Sequence, residues 1–125
     1  MSPIQISDAE STVMQALWQA GEATAEDLVA AVAAPNGWAE ATVRTLLNRL
    51  LTKGAVSADR EGRRYRYRPV LQRADWVAGE SAGVVDRLFG GRVAPLVAHF
   101  GETGRLTRAD IDELRRLIEE FDDGR

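Results

Sequence analysis

The side chains best suited to recognising a ligand lie in the stretch 38–53, WAEATVRTLLNRLLTK. Small or hydrogen-bonding residues recur there at helical spacing: Ala41, Arg44, Thr45, Asn48 and Thr52. The opposite side of the same helix is apolar: Val43, Leu46, Leu47, Leu50 and Leu51. An arginine can form paired hydrogen bonds with guanine, and an asparagine can do so with adenine. The pattern therefore predicts a helix with one face in a core and the other in a groove of duplex DNA.

Individual roles follow from position on this helix, which we expect to span residues 39–53. Its N-terminal half is expected to enter the major groove and to direct four side chains at bases or phosphates: Thr42, Arg44, Thr45 and Asn48. Two of these have alternatives, since Arg44 could pair with Glu40 one turn earlier and Asn48 could bridge within the domain. Arg49, beside the apolar face, is expected to contact either a phosphate or the following hairpin.

A basic hairpin is predicted directly after this helix. Gly54 is placed to end the helix, and strands are predicted over Val56–Asp59 and Arg64–Arg68, joined by a charged turn that contains Gly62. A helix, a glycine and a basic hairpin in this order are the layout of a winged helix-turn-helix domain. We expect residues 59–66 to form the wing.

The tip of the wing carries its strongest candidate contacts. Arg63 and Arg64 are expected to meet the phosphate backbone or the minor groove, and the alternative is an edge strand kept soluble by its charge. Alternation along the second strand sends Tyr65 and Tyr67 to one face. We expect both tyrosines to belong to the core.

The charge of the 125-residue chain is unevenly distributed, although its formal net value is −3. Residues 1–37 hold five acids and neither Lys nor Arg, residues 38–68 hold eight bases and three acids, and residues 69–125 hold eight bases and eleven acids. Phosphate binding requires a positive potential locally rather than over the whole chain. The net acidity therefore does not exclude DNA as a partner.

Composition argues against several other classes of protein. The absence of cysteine excludes disulfides and thiolate metal sites and fits a reducing cytoplasm. No apolar run approaches the roughly 20 residues that span a bilayer, and the N-terminal stretch lacks a signal pattern. Ligand spacings such as HExxH and phosphate-binding loops are absent from the sequence, and His99 has no ligating neighbours. We expect a soluble cytoplasmic protein without cofactor, metal, membrane contact or enzymatic activity.

The two segments that precede the helix expected over 39–53 have clear start and stop signals. Ser7 and Glu10 form a capping box for a helix over about 8–20, and Thr24 with Asp27 offers a weaker one for a second helix. The sequence Pro35-Asn36-Gly37 is typical of a turn. The second and third helices are expected to form the helix-turn-helix.

Beyond Pro69 the sequence becomes helical again. Helices are predicted over about 73–89 and 94–100, a loop over 101–104, and a last helix capped by Thr107. The last helix has apolar residues spaced 3, 4 and 3 apart: Ile111, Leu114, Ile118 and Phe121. That spacing is a coiled-coil seam, and we expect it to be buried against a second copy of the chain. The predicted fold is mainly α with a small β-hairpin, with a winged helix-turn-helix domain over 1–70 and a helical dimerisation domain over 71–125.

The sequence resembles the penicillinase-repressor family, BlaI/MecI/CopY, over nearly its whole length. The resemblance rests on LW at 17–18, WAEATVRTLLNRLLTKGAV at 38–56, EGRRYRYRP at 61–69, FGG at 89–91 and LVAHF at 96–100. It implies a homodimeric repressor that binds a dyad operator on double-stranded DNA. In that family the signal is relieved by proteolysis in the C-terminal region or by copper.

Three departures from the family pattern affect what can be carried over. Ala39-Glu40-Ala41 stands where the family usually has Ser-Pro-Lys, which removes an N-cap worth about 1 kcal/mol and a lysine that would meet DNA. The cysteine cluster of the copper-responsive branch is absent, and His99-Phe100 stands at the Asn-Phe bond of the proteolysed branch. The inducer and any sensor protease therefore stay open.

Two other classes of function compete with a DNA-binding repressor. A winged helix can serve as a protein-protein adaptor, because the fold does not dictate DNA binding. Five arginines between 60 and 68 argue against an adaptor. A ligand-sensing regulator would need an effector pocket among the C-terminal helices, where no polar cluster identifies an effector.

Overall fold

The computed structural model describes residues 4–124; residues 1–3 and 125, at the outer ends of the two predicted domains, lie outside the described residues. Along the described chain the elements are α1 (Asp8–Ala20), β1 (Ala23–Thr24), α2 (Ala25–Asn36), α3 (Glu40–Lys53), β2 (Val56–Glu61), β3 (Arg64–Pro69), α4 (Arg73–Phe89), α5 (Val93–Glu102) and α6 (Arg108–Asp123). The predicted class, mainly helical with a small antiparallel sheet, is confirmed.

Three helices begin at the predicted caps. In each, a hydroxyl accepts from the backbone N–H three residues on, while an acidic side chain there accepts from the backbone N–H of the cap. The pairs are Ser7 with Glu10, Thr24 with Asp27, and Thr107 with Asp110. Aspartate is therefore long enough to complete the capping box in two of them.

The stretch predicted as a turn after α2 belongs largely to the helix. Helix α2 continues through Pro35 to Asn36, and only Gly37 leaves it, with a left-handed φ of 66°. A proline this close to the end of a helix removes a backbone donor from the last turn alone. The Asn36 side chain donates to the Val32 carbonyl at 2.8 Å. The turn prediction was wrong because the stop is made by Gly37 by itself.

The hydrophobic core is built around the apolar face of α3. Val43, Leu46, Leu47 and Leu50 are at most 5% exposed, and Leu51 is half-buried beside them. They pack with buried residues from α1, β1, α2, the start of β2 and the residue before it: Val13, Met14, Leu17, Ala23, Ala25, Leu28, Val32, Ala55 and Val56. Burying each large aliphatic side chain contributes about 1.5–3 kcal/mol. The helix is therefore fixed by its own hydrophobic face.

A short strand that the sequence did not predict completes the sheet. Among residues 4–124 the strands form an antiparallel sheet in the order β1-β3-β2. Ala23 lies opposite Tyr67, and Thr24 lies opposite Arg66. Two residues are too few to show the alternation by which strands are recognised. The pairing places the start of α2 beside the hairpin.

The two tyrosines of β3 have different environments. Tyr67 packs against the core, as predicted, whereas Tyr65 is 50% exposed. Tyr65 lies opposite Arg60 near the hairpin tip, where the sheet has extended beyond the helices that cover its base. The expectation that Tyr65 belongs to the core was therefore wrong.

The chain divides into two compact units, and the boundary falls within α4 between Ala78 and Gly79. The first turns of α4 belong to the first unit. There the rings of Trp18 and Trp76 lie 5.4 Å apart, and the Trp18 indole N–H donates to the Leu71 carbonyl at 2.8 Å. These contacts tie the start of α4 to α1.

The second unit contains the rest of α4 together with α5 and α6. The rings of Phe89 and His99 lie 6.0 Å apart and join α4 to α5. Helix α5 extends through Gly101 to Glu102, so the predicted loop over 101–104 is shorter than expected. No residue of α4, α5 or α6 between Arg73 and Asp123 is fully buried.

A lipid bilayer sets a minimum length and apolarity for any helix that crosses it. Among residues 4–124, no helix meets both requirements.

A buried ion pair links the first and third helices. Glu10 is 2% exposed, and the Lys53 ammonium donates to its Oε1 at 2.5 Å. Burial raises the pKa of Glu10, but hydrogen bonds from Lys53 and Ser7 outweigh burial and leave that pKa lowered. Because the pKa of this carboxyl is lower in the folded than in the unfolded chain, its ionised form stabilises the fold when the pH is above the ordinary pKa of glutamate. This stabilisation is lost as the pH falls through the folded-state pKa.

We expect Lys53→Met to lower the free energy of unfolding by about 1–3 kcal/mol at neutral pH, because it leaves a buried carboxylate without its cationic partner. Urea unfolding should show this deficit shrinking as the pH falls through the lowered folded-state pKa of Glu10, because the carboxyl then becomes protonated. Lys53→Arg, which keeps the cation, should retain more of the stability. A deficit that is the same at neutral and acidic pH would contradict the assignment.

Candidate nucleic-acid interface

The exposed face of α3 carries all five side chains predicted to contact DNA from this helix. All five are exposed, and the residues that alternate with them are buried. The exposed residues are Thr42, Arg44, Thr45, Asn48 and Arg49. Since the opposite face is locked in the core, the direction of this polar face is set by packing. Residues 42–49 cover about two turns, a length that fits within the major groove.

Two positions at the ends of α3 shape how the surface continues. The helix begins after Ala39, whose methyl side chain offers no acceptor for the first N–H groups. It ends at Gly54, whose φ of 79° lies in the left-handed region that favours glycine. The next residue, Ala55, is buried and accepts from the backbone N–H groups of Val70 and Leu71. The hairpin therefore leaves α3 without a flexible linker.

The hairpin is longer than predicted and ends in a tight turn. Strands β2 and β3 pair from Val56 opposite Pro69 to Glu61 opposite Arg64, so that Gly62 and Arg63 form the turn. Gly62 has a φ of 65°. Arg63 and Arg64 are both exposed, as expected of a wing tip.

Tyr65 contributes to the wing rather than to the core. The Arg60 guanidinium carbon lies 6.0 Å from the centre of its ring, within the range of a cation–π contact. Arg60 Nε also donates to the Gly62 carbonyl at 3.1 Å. These contacts order the Arg60 side chain near the tip.

Carboxylates face the arginines of α3 and the wing tip. Arg44 donates to Glu40 Oε2 and to Glu26 Oε1, both at 3.4 Å. Arg64 Nε lies 3.7 Å from the second oxygen of Glu26. Burial lowers the pKa of Arg44, but Glu26 and Glu40 outweigh it and raise that pKa. The Glu40 pairing predicted as an alternative for Arg44 is therefore present, together with an unpredicted one.

A second group of ion pairs lies further down β3. The hydrogen bond from Arg66 Nε to Glu61 Oε2, at 2.8 Å, raises the pKa of Arg66 and lowers that of Glu61. Arg68 Nε donates to Glu22 at 2.8 Å, and its NH1 donates to Asp59. Glu22 raises the pKa of Arg68.

The fold thus brings together charges that the sequence keeps apart. Glu22 and Glu26 belong to the acidic segment 1–37, yet both pair with arginine side chains of α3 or the hairpin. The local excess of positive charge is therefore smaller than segment counting predicts. Within residues 4–124, Arg49 and Arg63 have no ion-pair partner, and the Asn48 side chain makes no hydrogen bond.

Glu22 and Glu26 were not singled out from the sequence as functional. Their signal is their position, because they flank Thr24, the N-cap residue of α2. Acidic residues are common in the first turn of a helix, where the helix dipole favours them. That ordinary explanation hides their proximity to the wing, which depends on the pairing of β1 with β3.

A metal ion would need several ligating side chains in one place. Between Ile4 and Gly124, no cluster of three or more His, Asp or Glu side chains is placed to hold one. The cationic groups at the surface of α3 and the hairpin are arginine guanidiniums, which donate hydrogen bonds and suit an anionic ligand.

Three packed helices, the second and third joined by a short turn and followed by a β-hairpin, define a winged helix-turn-helix domain. A family model described as "Penicillinase repressor" matches residues 6–120. The chain belongs to the penicillinase repressor family.

Individual relatives match over similar lengths. The chain is 31% identical to the penicillinase repressor of Bacillus licheniformis over 116 residues, which cover 93% of this chain and 91% of that protein. It is 27% identical to the methicillin resistance regulatory protein MecI of Staphylococcus aureus (strain N315), over 91% of this chain and 93% of that one.

A solved structure is similar to more than half of the chain. It is the monomeric form of Bacillus licheniformis BlaI in complex with the blaP half-operator, with 34% identity and a TM-score of 0.53. The match covers 60% of this chain and 93% of that one.

Proposed function

We propose that this chain is a homodimeric transcriptional repressor that binds a dyad operator in double-stranded DNA through α3 and the wing. The observation that carries the proposal is the division of α3 into an apolar face packed in the core and an exposed face of hydrogen-bonding side chains. Membership of a repressor family supports it, as does the similarity to a BlaI structure with a half-operator.

In this proposal α3 reads the sequence of the operator. Arg44 and Asn48 lie one turn apart on the exposed face, so both side chains can reach the same stretch of major groove. Paired hydrogen bonds from Arg to guanine and from Asn to adenine discriminate by about 1–3 kcal/mol each. Thr42 and Thr45 add shorter donors between them. Arg49, without an ion-pair partner in the described chain, serves as a phosphate contact.

The wing supplies contacts that do not depend on sequence. Arg63 and Arg64 lie at the hairpin tip, and the short connection through Gly54 and Ala55 fixes the hairpin relative to α3. Contacts with phosphate orient a protein on the duplex without reading bases. We assign this role to both arginines.

The second unit is proposed to join two chains. Along α6, Ile111 and Leu114 are half-buried, whereas Ile118 and Phe121 are 59% and 65% exposed. Apolar residues at coiled-coil spacing that are this exposed in a single chain are well suited to burial against a second one. Two chains related by a twofold axis would present two copies of α3 to a symmetric operator.

An effector pocket is less well supported. An open groove of about 220 Å³ lies along α6 and the segment that precedes it, lined by Leu106, Asp110, Glu113, Leu114 and Leu117. Pockets for small ligands usually measure about 300–1,000 Å³ and close around the ligand. The groove therefore does not favour a ligand-sensing regulator.

Replacing both wing-tip arginines, Arg63→Ala with Arg64→Ala, should weaken binding to every duplex. Each phosphate contact that is lost reduces the number of counterions released on binding. The slope of log K against log salt should therefore become shallower by up to about 1.8. Fluorescence anisotropy with a mixed-sequence duplex at several salt concentrations measures this slope.

The matched control is Arg92→Ala with Arg105→Ala, which removes the same charge from exposed positions of the second unit. It should leave the slope nearly unchanged. If the wing variant and the control have the same slope, the wing does not contact DNA.

Replacing an exposed residue of the α6 seam, Ile118→Asp, should shift the chain from dimer to monomer, because it places a charge in the proposed interface. Sedimentation velocity measures the molecular mass directly. Arg116→Asp, on the side of the same helix opposite the seam, is the control and should remain a dimer. A dimer that persists in Ile118→Asp at unchanged affinity would remove α6 from the interface.

A further inference from the structure

One carboxylate, that of Glu26, lies between the recognition helix and the wing. Its Oε1 accepts from Arg44 NH2 at 3.4 Å, and its Oε2 lies 3.7 Å from Arg64 Nε. The two oxygens thus face two different arginines, one on α3 and one at the start of β3. Both arginines belong to the proposed DNA contacts.

The position of Glu26 follows from the local fold. It is the second residue of α2, where the helix dipole favours a negative charge. The capping box of Thr24 and Asp27 fixes that first turn. Because Thr24 also lies opposite Arg66 in the sheet, the first turn of α2 is held against the hairpin.

A carboxylate in this place has the chemistry of the ligand that the surface is proposed to bind. Guanidinium groups bind carboxylate and phosphate in the same way, through charge-assisted hydrogen bonds to two oxygens. Glu26 is half-exposed, and its two contacts are long. Exposed pairs of this kind are weak and exchange readily. A phosphate arriving from solvent can therefore replace the carboxylate.

We propose that Glu26 is an internal competitor for the acceptor groups of DNA, which holds Arg44 and Arg64 in the unbound protein and is displaced when Arg44 meets a base edge and Arg64 meets a phosphate. This inference rests on the proposed function, since it assigns a role to a residue at the same surface. The competition is between charges, so it opposes binding to duplexes of any sequence. Contacts to base edges are left to decide which sequences overcome it.

The test is Glu26→Gln, which keeps the size of the side chain and removes its charge. At low salt its affinity for a mixed-sequence duplex should rise about two- to tenfold, because two weak ion pairs no longer have to be broken. The slope of log K against log salt should become steeper by up to about 0.9, since the displaced carboxylate no longer offsets one positive charge beside the phosphates. Anisotropy titrations at several salt concentrations give both quantities.

Two further variants separate local competition from other effects. Glu80→Gln, an exposed residue of α4 in the second unit, changes the net charge equally and should leave the slope unchanged. Combining Glu26→Gln with Arg64→Ala should reduce the gain, because one of the two arginines is gone. Thermal unfolding of each variant checks that its fold is intact.

The outcomes distinguish this inference from the function on which it rests. If the wild-type protein binds DNA, and Glu26→Gln and Glu80→Gln have equal slopes of log K against log salt, the inference is overturned but the proposed function is not. A lower affinity of Glu26→Gln would also overturn it, since Glu26 would then be positioning the arginines for DNA. Failure of the wild-type protein to bind any duplex at low salt would overturn both.

Discussion

Burial of Val43, Leu47 and Leu50 at no more than 1% exposure fixes the rotation of α3 about its axis. The rest of the proposed interface depends on that constraint. Because side chains on a helix recur every 3.6 residues, locking these three in the core leaves Arg44 and Asn48 no direction but solvent. A polar face held in this way needs little ordering when it meets a groove. The same packing sets where the hairpin begins, since Ala55 is buried immediately after the helix.

Electrostatics adds a second level of organisation to the same surface. A stretch with five more bases than acids, residues 38–68, would bind any polyanion strongly if its charges faced only water. In the folded chain Glu22 and Glu26 reach across from the start of α2 and pair with arginines of α3 and β3. The net positive charge at this surface is therefore smaller than the count over residues 38–68 indicates. Contacts with bases can then contribute a larger share of the free energy of binding.

Much of the fold could be predicted because its signals are local. The capping boxes, the glycine stop at Gly54 and the two faces of α3 each depend on residues a few positions apart. The structure departs from prediction where distant residues meet. Strand β1 exists only because β3 is beside it, and Tyr65 is exposed because the hairpin extends past the core. The pairing of Glu26 with Arg64 joins residues 38 positions apart, a distance at which the sequence shows no periodicity. The candidate contacts on α3 could be predicted from the sequence, but the carboxylates that face them could not.

The most direct test of a sequence-specific repressor can be made before its operator is identified. The full chain would be used to select from a pool of randomised duplexes at near-physiological salt, and the bound fraction would be sequenced. A dimer that presents two copies of α3 predicts enrichment of an inverted repeat whose half-sites are centred about 10 base pairs, or a multiple of that, apart. Bound DNA with the same sequence composition as the starting pool would contradict the account, because α3 would then not be reading bases.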